Sequence, residues 1–154
     1  MSRAFVKETD QDPGTLAELE ISPHPNFVTR RGLAALEERV RDIEQQRVTA
    51  RAAGDAATLA RLNRDLRYYQ ARRESARLVV PPADPAVVRF GMRVTLAMEG
   101  GGTRVYRIVG EDEGEPAAGL ISYVSPLARA LIGLGVGDEV AVGGGRATLV
   151  AIDA

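Results

Sequence analysis

The sequence predicts an α+β chain: an antiparallel helical hairpin, a short coiled coil, followed by a small β-rich domain. Three observations carry this prediction. Two amphipathic stretches with heptad-like apolar spacing are separated only by a Gly-Asp turn. The proline cluster Val80-Pro81-Pro82-Ala83-Asp84-Pro85 then ends the helical pattern. Beyond it, alternating β-formers are punctuated by Gly-rich turns.

Thr29 suits the N-cap of the first helix, because its hydroxyl can accept from an otherwise free N–H of the first turn. Leu33, Leu36, Val40 and Ile43 follow at spacings of three, four and three, with Arg and Glu between them. Ala50, Ala52 and Ala53 continue with helix formers until Gly54-Asp55 interrupts. Gly54 fits a left-handed C-terminal position, and Asp55 can cap the next helix. That second helix is predicted over about 56–79, with the stripe Leu59, Leu62, Leu66, Tyr69 and then Arg73 and Ala76. So short a turn makes the arms antiparallel, and about 24 residues per arm reach roughly 36 Å at the helical rise.

Residues 1–26 contain Pro13, Gly14, Pro23 and Pro25, several acids and few large apolar groups. They read as a flexible acidic tail in which Leu16 and Leu19 could form one helical turn. On the other side of the hairpin, Phe90–Leu96 and Thr103–Val109 alternate around Gly100-Gly101-Gly102 as a β-hairpin. Gly119–Val124 is a third strand, and Ser125-Pro126 opens a short helix through Leu131, with Ser125 as N-cap. Glu139–Val142 and Ala147–Ile152 flank the turn Gly143–Gly145, which makes the sheet mostly antiparallel. The expected division is 1–26 tail, 27–80 helical hairpin, 81–87 linker and 88–154 β-rich domain.

Composition narrows the function. The 154 residues include no Cys and a single His, which excludes disulfides, thiol catalysis, Cys-ligated zinc and His clusters. That His24 lies between two prolines and is read as a loop residue. Aromatics are 5% with no Trp, so the core is aliphatic and a base-stacking surface is disfavoured. No apolar run approaches a membrane span, and the N-terminus lacks the apolar core of a secretory signal, so a cytoplasmic monomer without membrane contact is expected. The net charge of −1 conceals a pattern. Residues 1–27 are net −3, 28–79 net +5 with twelve Arg, and 80–154 net −3. Arg forks bind carboxylates and phosphates, so the hairpin either meets an anionic partner or simply carries a solvated face.

No nucleophile–base constellation exists, so no catalytic residue, metal ligand or cofactor is assigned, and the chain is not expected to be an enzyme. Gly100–Gly102 and Gly143–Gly145 lack the Lys-Ser/Thr and helix of a phosphate loop and read as hairpin turns. The run Glu111-Asp112-Glu113 with Glu115 has the groups to hold a cation, but it lies in a Gly- and Pro-containing connection and reads as a solvated loop.

The most specific stretch is Ile121-Ser122-Tyr123-Val124-Ser125-Pro126-Leu127-Ala128-Arg129-Ala130-Leu131. It resembles the signature of the Gre family (GreA/GreB) of bacterial transcription elongation factors, in which a strand ending in Ser-Pro starts a helix reading Ala-Arg-Ala-Leu. Arg107-Ile108-Val109-Gly110, Val136-Gly137-Asp138-Glu139-Val140 and Phe27-Val28-Thr29-Arg30-Arg31-Gly32-Leu33 match in order and spacing, and the likeness spans residues 27–154. It implies an FKBP-like C-terminal domain without isomerase activity, and RNA polymerase as partner, with nucleic acid met only through that complex. In this family the hairpin enters the polymerase secondary channel. Acidic tip residues there help hold a magnesium ion and a water, and the polymerase cleaves its own backtracked transcript. The C-terminal domain grips the outside of the polymerase, partly through the loop ending in Ser-Pro. The resemblance therefore points to Tyr123, Ser125, Pro126, Leu127 and Arg129 for docking, and to Gly54 and Asp55 as the tip.

The tip departs from the family pattern. Ala56-Ala57-Thr58-Leu59-Ala60-Arg61 comes after Gly54-Asp55, so Asp55 stands alone and the second carboxylate falls near Thr58. Matching Arg67-Tyr68 to the family's second arm shortens each arm by ~2 turns, about 11 Å of reach. Val124 also replaces the acid that precedes Ser-Pro. The expectation is a polymerase-binding elongation regulator with weak or absent stimulation of transcript cleavage; the alternative is a cleavage-stimulating factor that uses Asp55. Two readings from other classes are a free-standing peptide-binding module and direct DNA binding by the Arg-rich hairpin, which salt-dependent DNA affinity without polymerase would reveal.

Overall fold

The structure is a computed structural model that describes residues 16–154. Strand β1 (Phe27–Val28) leads into helix α1 (Arg30–Ala52), which is followed by helix α2 (Ala56–Ser75) and strand β2 (Arg77–Leu78). The remainder comprises β3 (Arg93–Met98), β4 (Thr103–Val109), β5 (Leu120–Ser122), α3 (Pro126–Leu131), β6 (Glu139–Val142) and β7 (Gly145–Asp153).

α1 starts where Thr29 Oγ1 accepts the Gly32 N–H at 3.0 Å. It ends at Gly54, whose φ of +66° only glycine adopts cheaply, and the Asp55 N–H turns back to Ala50 O at 3.0 Å. The two helices run antiparallel: Arg47 Nε reaches Asn63 Oδ1 at 2.7 Å near the turn, and the Arg39 guanidinium lies 5.4 Å above the Tyr69 ring nearer the base. Val40, Ile43, Ala50, Leu62 and Leu66 form the buried seam, with Leu59 and Tyr69 packed on it. Each large aliphatic group there supplies about 1.5–3 kcal/mol by leaving water.

The N-terminal half of the chain differs from the sequence expectation at four places. Leu33 is only half-buried, and Gly32 faces inward instead, because a carboxylate from the sheet occupies that position. On α2 the buried arginine is Arg72, not Arg73. α2 stops at Ser75 rather than continuing to 79. There the chain leaves the helix to pair β2 in parallel with β1, Phe27 opposite Arg77 and Val28 opposite Leu78, and the Arg77 N–H bonds Asn26 O at 2.8 Å. Finally, Leu16 and Leu19 form no helical turn; residues 16–26 are irregular, and both leucines are exposed. The rest of the expected tail lies outside the described residues.

The five-stranded sheet has the order β5-β4-β3-β7-β6. All neighbours are antiparallel except β5, which runs parallel to β4. Gly143 and Gly144, with φ of +55° and +82°, make the two-residue turn between β6 and β7. Positive φ at both centres is the hairpin geometry that matches strand twist. Between the pairs Thr95 with Ala151 and Leu96 with Leu149 the register skips Val150, which places a bulge in β7 opposite β3. Val94, Leu96, Ile108, Ile121 and Leu149 point into one aliphatic core, and α3 closes it with Ala128 and Leu131.

Candidate functional site

The tip of the helix pair is built by backbone geometry. Asp55 Oδ1 accepts the Thr58 N–H at 3.1 Å and so caps α2. Hydrogen bonding from Thr58 holds this exposed carboxyl below its usual range, with the Arg61 charge adding a smaller effect. No other acid lies between Glu44 and Asp65. Asp65 is buried, bound by Arg64 at 2.8 Å and flanked by Arg61 at 3.7 Å. Beside Asp55, a shallow hollow of about 310 Å³ is lined by small and neutral groups that include Thr49, Ala50, Ala53 and Thr58. The tip therefore presents one carboxylate, already engaged as a cap.

α3 brings together only part of the docking set. Ser125 Oγ accepts the Ala128 N–H at 3.4 Å, and Pro126 occupies the first helical position. Pro126 and Arg129 are exposed, while Leu127 is half-buried against the sheet core. Tyr123 is engaged elsewhere. Its ring lies 5.4 Å from Phe27 and 5.7 Å from Phe90, and its hydroxyl donates to Pro25 O. Burial, followed by the Glu111 charge, raises its pKa. Tyr123 thus joins β1 to the sheet while staying partly exposed just ahead of α3.

The acidic run Glu111–Glu113 is not a solvated loop. It forms a single 3-10 turn whose three side chains grip the base of the helix pair. Asp112 accepts from Arg72 Nε at 2.6 Å and from the Tyr68 hydroxyl at 2.5 Å. Glu111 accepts from Ser22 Oγ at 2.8 Å, and its other oxygen lies 3.6 Å from Arg72 Nη2. Glu113 accepts the Thr29 N–H at 3.1 Å, the Thr29 hydroxyl, and the Gly110 N–H at 3.0 Å, placing an anion at the start of α1 where the helix dipole favours it. Arg72, only 1% exposed, also donates to Asn26 Oδ1 at 2.9 Å. Asn26 Nδ2 in turn donates to Arg72 O at 2.7 Å. Burial opposes the Arg72 charge, but the hydrogen bond and charge of Asp112 outweigh it and raise the pKa. Burial and Asp112 likewise push the Tyr68 hydroxyl up.

Next to this junction lies a cleft of about 820 Å³ between the start of α1 and the β4–β5 side of the sheet, with Arg30, Arg31, Arg39 and Arg107 in its lining. The sequence reading named the acidic run but not its pairing with Arg72, Tyr68 and Thr29. The signals were an isolated acidic triplet opposite the one Arg-rich segment, and a glycine in the first turn of a helix. Among the described residues, no group of three His, Cys, Asp or Glu is placed to hold a metal, and no helix is long and apolar enough to cross a membrane.

Fold and surface define a protein with a helical rod and a sheet unit joined through a polar interlock. Residues 83–152 match the C-terminal model of the transcription elongation factors GreA/GreB. Transcription elongation factor GreB of Haemophilus influenzae is 36% identical over 136 residues, covering 76% of this chain and 86% of that protein. GreA of Methylobacterium sp. is 34% identical over 143 residues, covering 77% and 90%. The crystal structure of GreA factor homolog 1 from Thermus thermophilus aligns with 85% of this chain and 100% of its own at 18% identity and a TM-score of 0.41. The chain belongs to the GreA/GreB family of transcription elongation factors.

Proposed function

We propose that this chain binds bacterial RNA polymerase and regulates elongation by placing its helix pair in the secondary channel, with little or no stimulation of transcript cleavage. The observation that carries this reading is the tip. Asp55 is its sole carboxylate, and its Oδ1 is committed to the Thr58 N–H. A second magnesium beside the substrate is held through one or two carboxylates plus the substrate's own oxygens, and a tip with a single, already engaged carboxylate holds it more weakly than a paired one. In this reading the chain is a cytoplasmic regulator and not itself an enzyme. Its sheet unit is FKBP-like and docks on the polymerase through Ser125, Pro126 and Leu127 with Tyr123 and Arg129 close by, and nucleic acid is reached only through the complex.

The second reading, cleavage stimulation through Asp55, is favoured by one feature: the carboxyl is solvent-exposed, and Thr58 keeps it in its charged form. Adding the purified protein to backtracked elongation complexes separates the two. The expected result is binding, little cleavage, and competition with a cleavage-competent GreB for the same complexes. Strong cleavage abolished by Asp55→Ala would establish the second reading instead.

A further inference from the structure

We infer that Arg72 and the turn Glu111–Glu113 are positioning residues that set the angle at which the rod presents its tip relative to the sheet. Two separate attachments carry this inference. On α2, Arg72 and Tyr68 both bond Asp112, at 2.6 and 2.5 Å. At the start of α1, the Thr29 backbone and hydroxyl both bond Glu113. The two grips come from different helices, yet they close on adjacent residues of one rigid turn. A rod held at one point can swivel, whereas a rod held at two points on separate arms cannot. The covalent connection after β2, which contains Pro81, Pro82 and Pro85, provides no such constraint alone.

Residues 16–26 reinforce both sides. Glu18 binds Arg67 of α2 at 2.5 Å, Ser22 binds Glu111 of the turn at 2.8 Å, and Asn26 exchanges hydrogen bonds with Arg72. Arg72 suits this role because a buried guanidinium satisfies its donors in only one arrangement of the parts around it. Gly32 is the complement on α1. A Cβ there would overlap the Glu113 carboxylate, so any side chain at position 32 displaces that carboxylate from its present seat on Thr29. The functional consequence rests on the proposed channel reading: a rod at a fixed angle is already aimed when the sheet docks, so no orientational freedom is lost on entry.

Gly32→Ala makes the test clean. Alanine is a better helix former than glycine, so α1 stays folded while the Glu113 side chain is forced aside. Asp112→Asn weakens the other grip. The chain has no Cys, so spin labels can be placed at Val48→Cys near the tip and Val150→Cys on β7, both exposed positions. Electron–electron double resonance on the free protein should show one narrow distance peak in the labelled parent. The peak should broaden modestly in either single variant and strongly in the double variant, with helical circular dichroism unchanged. A narrow, unshifted peak in the folded double variant, or a broad one in the parent, would overturn the inference. If Asp112→Asn melts the helices, Gly32→Ala combined with Tyr68→Phe replaces it, with a broader peak than in either single variant expected and an unchanged narrow peak overturning the inference. With polymerase, the double variant should bind within a few-fold of the parent but lose at least tenfold in its effect on pausing; an unchanged effect would remove the functional part. A parent that does not bind polymerase refutes the channel reading alone, because the distance measurement needs no polymerase.

Discussion

Asp55 shows how one side chain can satisfy a motif and still leave its chemistry incomplete. Gly54-Asp55 is legible as a turn followed by a cap, and the structure builds that turn and cap. The acid serves by accepting the Thr58 N–H, a role that needs no metal. Because Thr58 lowers the folded-state pKa of Asp55, the stabilisation is fully present above the unfolded value of ~3.9 and is lost as pH falls through the lower folded value. Asp55→Ala is therefore expected to lower the thermal midpoint at neutral pH, with the gap to the parent closing in acid. A gap that persists unchanged into strong acid would mean that the carboxylate charge is not what stabilises the cap. Arg72 is the opposite case. Its neighbour Arg73 is chemically identical; groups distant in sequence, Asn26 and the pair Glu111 and Asp112, select Arg72 for burial.

At the scale of elements, the rod depends on a thin seam. α1 and α2 bury few large aliphatic groups against each other, and Leu62 and Ile43 at 0% exposure are central among them. Leu62→Ala removes most of a side chain from a site that two helices cannot easily collapse around. A loss of about 3 kcal/mol is expected, within the usual range for such truncations. Denaturant unfolding monitored by helical circular dichroism checks this; a loss below about 1 kcal/mol would show that the seam repacks. The sheet elements were closer to their expected limits than α2 was. Strand alternation and Gly-rich turns are local signals, whereas the end of α2 is set by competition. Asn26 caps the Arg72 carbonyl, and β1 captures Arg77 and Leu78, so the helical pattern that runs on to Val79 is overruled.

For the whole molecule, the proposed function turns on two points at once: a single tip acid, and the expectation from the family resemblance that the rod is shorter by about 11 Å, two turns of helix. They make different predictions. If the missing carboxylate were the sole deficit, Thr58→Glu would create cleavage activity. With reach also limiting, Thr58→Glu is expected to leave transcript cleavage at background, and activity should emerge only when two helical turns are also inserted in each arm. Cleavage by Thr58→Glu alone, measured on backtracked complexes, would show that reach is sufficient. The segregation of charge, net +5 on residues 28–79 between two acidic segments, is absorbed in part within the molecule. Glu18, Glu111 and Asp112 pair with Arg67 and Arg72, while Arg30, Arg31 and Arg39 remain along the cleft.

The features readable from the chain alone were those that neighbours along it encode. Heptad spacing, the Thr29, Asp55 and Ser125 caps, the Gly54 turn and the alternating strands all depend on residues within a few positions of one another, and each left a local mark. The Ser-Pro helix start and its flanking segments were specific enough to indicate the family. The interlock of Asn26, Arg72 and Glu111–Glu113 and the inward turn of Gly32 left only an acidic triplet and a first-turn glycine whose partners the sequence does not name, and the strap of residues 16–26 and the packing of Tyr123 on Phe27 and Phe90 left no such mark. Burying a charge is favourable only when a partner arrives to satisfy it, and these partners come from about forty to ninety positions away. Folding brings them together, and until it does, an acidic triplet and a run of arginines look like ordinary solvated surface.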